Sequence, residues 1–162
     1  MYDQFMQLIE ANADAITSNV LLEVRKRSEV RHYLEIPEEI ARERISQVIR
    51  NVYERLGSWL NKNRPKNVLF AYYSTLGAER CREGIPLEEV VMLIMLIKRE
   101  IWYVINDRVA TGSGFTLKDI NYYGNLFFDR IIHSIVTGYQ SELGKVCREK
   151  DSKDLLDRIF NR

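Results

Sequence analysis

Glu29 and His32 stand three residues apart, and Glu-x-x-His is the spacing with which helical bundles hold paired metal ions. Such a centre needs the motif twice, with further inward glutamates. The other histidine, His133, has Asp129 four residues before it and no glutamate at three, so no metal site is expected. His133 lies beside Phe127, Ile132 and Val136, where an imidazole could serve as an axial haem ligand, although such a histidine more often sits hydrogen-bonded at a core edge or at the surface. Cys81 falls between Arg80 and Arg82, cations that would lower a thiol's pKa. No histidine stands near it in sequence, and a small buried thiol is the simpler reading. Thr111-Gly112-Ser113-Gly114 lacks the Lys-Ser/Thr that completes a phosphate loop. The pairs Glu38-Glu39 and Glu88-Glu89 fall in first helical turns, where the helix dipole accounts for them. The basic run Arg25 to Arg27, with Arg31 nearby, reads as a helix C-terminus rather than a nucleic-acid surface. Nothing places a base beside a nucleophile, so the chain is read as no enzyme, with no catalytic residue, metal or cofactor.

Aromatic side chains are the remaining candidates. Tyr72, Tyr73, Trp102, Tyr103, Tyr122, Tyr123 and Tyr139 recur from the middle of the chain onward, several on faces expected to point inward. A buried tyrosine needs a partner for its hydroxyl. Core packing is the default for such a set. Its alternative is a pocket for a small flat ligand or haem, with Tyr72, Trp102, Tyr123 and His133 as the lining candidates.

The elements that must position these residues are helices. The chain has 162 residues, 46% of them apolar and 29% charged, which suits one globular domain. Its 24 basic and 23 acidic residues leave a net charge of +1, no field for gathering nucleic acid or an anionic membrane. Two cysteines, Cys81 and Cys147, fit free thiols in a reducing compartment, and the N-terminus lacks a secretory pattern. No stretch alternates apolar and polar residues as a half-buried strand would.

Tyr2 to Glu10 and Asp14 to Arg27 read as helices, and Ser28 to Ile36 as loop or loose turn. Pro37 opens a helix whose stripe is Ile45, Val48, Ile49, Val52, Leu56 and Leu60. Lys66 to Arg82 is the next, stopped by Gly84. Pro86 then restarts the chain into a helix over about 86–108 that contains eight consecutive apolar residues, Val90 to Ile97. Such a run covers about 12 Å, too short for a membrane, and predicts a helix shielded on all sides. Thr116, with Asp119 three residues on, caps a long helix through Tyr139. Gly124 and Gly138 interrupt it, and a glycine there costs roughly 1 kcal/mol against alanine, so close helix approach is expected at both. From Lys145 the chain turns to alternating charge with an apolar seam, Leu155, Leu156, Ile159 and Phe160.

The segment Tyr73 to Ile94, with Leu76-Gly77-x-x-Arg80 and Gly84-Ile85-Pro86-Leu87-Glu88-Glu89 at its centre, followed by Leu96 to Trp102, resembles one known family. It is similar to the N-terminal helical domain of RsbRD-type regulators, part of the stressosome system and also found ahead of bacterial sensor histidine kinases. The likeness spans about Ala13 to Val109. It implies a bacterial sensory or regulatory input module without enzyme activity of its own, and it carries over no ligand-binding residue. No STAS or kinase domain lies within the 162 residues, which reads as a fragment or as a stand-alone member.

The expectation is therefore an all-α bundle of five to six helices around a central buried helix, one domain over 1–144, and a charged C-terminal helix or linker over 145–162. The expected function is a non-catalytic, cytoplasmic signalling input domain that relays a stimulus through helix packing and self-association as a homodimer. Its partner would be a downstream signalling protein, with no nucleic acid and no membrane insertion. Leu155, Leu156, Ile159 and Phe160 are the relay candidates. The alternative is a small-ligand or haem-binding helical sensor or carrier.

Overall fold

The computed structural model describes residues 2–60, 66–110 and 117–160, with side chains for 6–59, 68–107, Lys118, 121–150 and Lys153. Among the described residues all regular structure is helical: α1 (Tyr2–Ala11), α2 (Ala13–Arg25), α3 (Arg31–Glu35), α4 (Glu38–Leu60), α5 (Lys66–Arg82), α6 (Leu87–Ala110) and α7 (Leu117–Phe160). This is the expected all-α bundle with one helix more than the upper estimate. The extra one is α3, a five-residue turn of helix in the stretch read as loop. Periodicity could not reveal so short a helix, and a distant residue holds its start: buried Glu89 accepts the backbone N–H of His32 at 2.8 Å. The Glu88-Glu89 pair was thus read too narrowly, since Glu89 also stabilises a second helix.

α4 buries Ala41, Ile45, Val48, Ile49, Val52, Leu56 and Trp59 on one face. Its N-terminus lies against the C-terminus of α2 through Arg25, which pairs with Glu38. Lys26 and Arg27 are likewise spent on Glu23 of α2, as a helix C-terminal cluster should be. α5 ends in a Schellman motif: Gly84 is left-handed (φ 74°), its N–H reaches the Cys81 carbonyl, and the Ile85 N–H reaches that of Arg80, both at 3.0 Å. The Pro86 carbonyl then accepts from Glu89 and Val90 and starts α6.

α6 lies at the centre, packed on α1, α2, α5 and α7. Val90, Leu93, Ile94, Leu96 and Ile97 of the apolar run are buried, followed by Ile101 and Ile105. Shielding is not complete. Val91 and Met92 are partly buried and Met95 is 50% exposed, so the run keeps a narrow outward strip that continues to Tyr103. A single methionine in water costs little, which is why eight apolar residues do not force eight buried positions. Arg99 on the flank ties α6 to Glu23 of α2 at 3.0 Å and to its neighbour Glu100 at 3.1 Å.

α7 has 44 residues, roughly 66 Å of helix at 1.5 Å per residue. It passes from the bundle into the charged tail without a break. From Leu143 to Lys150 every residue is exposed, including Leu143 (46%) and Val146 (44%), so α7 outlasts the helices that pack on it. The Thr111–Gly114 loop and the Thr116 cap lie outside the described residues.

Candidate functional site

The four lining candidates do not share one pocket. Trp102 and Tyr123 come together where α6 meets α7: the Trp102 ring lies on Gly124, filling the place a Cβ would take, and the Tyr123 carbonyl accepts Nε1–H of Trp59 at 3.1 Å. Trp59 in turn packs on Phe127. The Trp102–Gly124 contact is the core packing taken as the default for these aromatics, at the place where the alternative reading would put a flat ligand. His133 is exposed on α7 and not set in a core, and its carbonyl accepts the Thr137 hydroxyl. Tyr72 faces α4. Among the described residues no three His, Cys, Asp or Glu side chains gather as an ion-holding group.

Cys81 departs from the activated-thiol reading. Burial pushes its thiol up, Glu142 and Cys147 add to the effect, and Arg82 opposes it without prevailing. Arg82 is occupied elsewhere, its Nε donating to Glu142 at 2.9 Å. Arg80 is spent on Glu83 at 2.9 Å. Two flanking arginines in sequence therefore give no thiolate here.

Two features bring chemistry together instead. One is the seam between α5 and α7. A Cβ on Gly77 would overlap the Ile135 carbonyl, and one on Gly138 would overlap the Ser74 carbonyl, so the two helix backbones touch. Gly138 and Gly124 were legible as points of close approach; Gly77 was not singled out. Tyr139 fastens the seam to the α5–α6 turn, its hydroxyl donating to the Ile85 carbonyl at 2.8 Å. Farther along, Glu142 accepts from Arg82 and pairs with Lys145. Partial burial works to raise the Glu142 pKa, but these two cations prevail and hold it below the usual carboxylate range.

The other feature is the cleft between α4 and α5. α5 packs closely on α7 and only sparsely on α4, which leaves hollows along that face. One, of about 190 Å³, is lined by Glu54, Arg55, Ser58, Trp59, Val68 and Leu69. A second, of about 200 Å³, is lined by Tyr72, Thr75, Leu76, Glu79 and Arg80 of α5 with Gln47 and Val48 of α4. Between them the Arg55 guanidinium lies over the Tyr72 ring, 4.3 Å from its centroid. Among the described residues Arg55 Nε and the Tyr73 hydroxyl are both buried without a hydrogen-bond partner. Burial pushes the phenols of Tyr72 and Tyr73 up, with Arg55 acting against it in both, so each hydroxyl keeps its proton. Sequence reasoning missed Arg55 because it lies off the apolar stripe of α4, where an arginine reads as a solvated side chain.

Residues 14–152 match the family model described as the RsbT co-antagonist protein rsbRD N-terminal domain. The chain belongs to the RsbRD N-terminal domain family. The match extends beyond the Val109 limit of the likeness read in the sequence and takes in α7 as far as residue 152. This makes the chain a regulatory signalling domain of the stressosome type, from a family that is not catalytic. No curated protein and no solved structure is significantly similar to it. Among the described residues no helix is long and apolar enough to cross a membrane.

Proposed function

We propose that this domain is a cytoplasmic sensory input module in which a stimulus changes how α5 and α7 pack, and α7 carries the change to a partner. The observation that supports this is α7 itself. It runs unbroken from a backbone-to-backbone seam in the core to an exposed, charged extension. A rigid element with one end in the core and the other in solvent can bias two arrangements of the bundle and report the difference outside it. The proposed boundary near 144/145 is supported by the change from the Glu142–Arg82 contact to exposed residues.

Leu155, Leu156, Ile159 and Phe160 belong to the last turns of α7, and their side chains lie outside the described residues. They remain the proposed contact seam, pairing with a second copy across a twofold axis or with an output protein. Removing 155–162 is expected to leave the bundle folded by circular dichroism and to change its sedimentation. The same oligomer before and after would remove the relay role of this segment. Haem binding is not proposed, because its axial candidate His133 is exposed.

A further inference from the structure

The α4 side of the bundle holds groups that the packing does not use. Among the described residues Arg55 has an aromatic ring as partner and no carboxylate at ion-pair distance, and its Nε–H is buried and unpaired. A buried donor without an acceptor costs about 1–3 kcal/mol, and the residue that carries it lines the hollow. Glu54, at the edge of the same hollow, is exposed and makes no ion pair among the described residues. The rest of the lining is apolar apart from Ser58: buried Trp59, buried Leu69 and exposed Val68. The hollow thus offers one cation, one anion and an apolar wall within about 190 Å³. That is below the roughly 300–1,000 Å³ of drug-sized pockets, which restricts an occupant to a small molecule.

From this juxtaposition we infer that the α4–α5 cleft binds a small free α-amino acid with an apolar side chain. Its carboxylate accepts from Arg55, its ammonium faces Glu54, and its side chain lies on Trp59, Leu69 and Val68. A lone anion would meet Glu54 and a lone cation would meet Arg55; a zwitterion satisfies both. Charge-assisted pairing fixes the polar end, and the apolar wall reads the side chain. The inference deepens the sensory reading by naming a class of stimulus, and depends on it only for what binding would do to α7.

Calorimetric titration of the full chain with L-leucine and L-phenylalanine tests it, with N-acetyl-L-leucine and L-leucinamide as probes lacking one charge each. Saturable binding of at least one amino acid is expected, weakened about tenfold or more in either capped analogue, as loss of a charge-assisted contact implies. Arg55→Gln and Glu54→Gln should each weaken it to a similar degree with unchanged circular dichroism. Should Arg55→Gln fail to fold, the exposed Glu54→Gln still decides the matter. Absence of saturable heat with both amino acids overturns the inference, as does equal binding of the capped analogues or of a folded Glu54→Gln protein. Binding with no change in hydrogen exchange along α7 would leave the site standing and sink the relay.

Discussion

Tyr73 is fully buried, and among the described residues its hydroxyl has no hydrogen-bond partner. Desolvation holds the phenol protonated, so it is a donor facing no acceptor at any working pH. The sequence marks Tyr73 as a buried tyrosine needing a partner; the burial is found and the partner is not. Tyr73→Phe keeps the ring and its edge-on contact with Tyr72 at 4.9 Å while removing the unpaired group. We expect the variant to be equal in stability or up to about 1 kcal/mol more stable, read by chemical denaturation. A loss larger than that would show the hydroxyl to be engaged. Arg55, by contrast, was not legible at all. Its partner Tyr72 lies on another helix, and no spacing rule connects a residue off one stripe to a residue on the next.

At the scale of elements, boundaries were readable wherever glycine or proline fixes the backbone. α5 runs Lys66–Arg82 as expected because Gly84 must take a left-handed turn and Pro86 can only restart a helix. α3 and the wet strip of α6 were not, because both depend on what packs where in three dimensions. The α5–α7 seam separates two glycines of one helix. Gly138→Ala drives a methyl into the Ser74 carbonyl, backbone that moves only if α5 moves. Overpacking costs typically about 1–3 kcal/mol and this overlap belongs at the upper end, against about 1 kcal/mol regained in helix propensity. A net loss of about 2 kcal/mol is expected. Gly144→Ala meets nothing within 4 Å and should gain up to about 1 kcal/mol. Thermal melts of the two variants should move in opposite directions, and a shared direction would contradict the seam. The same seam carries a pH dependence. The folded pKa of Glu142 lies below its unfolded value, so its contribution is present above about pH 4.3 and is lost as pH falls through the lower folded value. Glu142→Gln should flatten that acid limb of the stability curve.

For the whole molecule, the decisive asymmetry is that the core is closed at one end of α7 and absent at the other. Ile131, Ile135 and Phe127 are buried in the middle of this helix, whereas every residue from Leu143 to Lys150 is exposed. An extension of a helix already nucleated in the bundle gains only a little per residue from propagation, so without tertiary packing it frays readily. The exposed stretch therefore has its own stability, set by whatever covers it and not by the bundle. Amide exchange should report this as a step: strong protection up to about Glu142 and weak protection beyond, in dilute protein. If a second copy is what covers the extension, protection beyond Glu142 rises with protein concentration while that of the core does not change, since association stabilises only the segment it buries. If a different signalling protein covers it, concentration has no effect and the step persists until that partner is added. A uniform protection profile along the whole of α7 at low concentration would mean that the extension is held by the bundle after all, and the output arm proposed here would not exist.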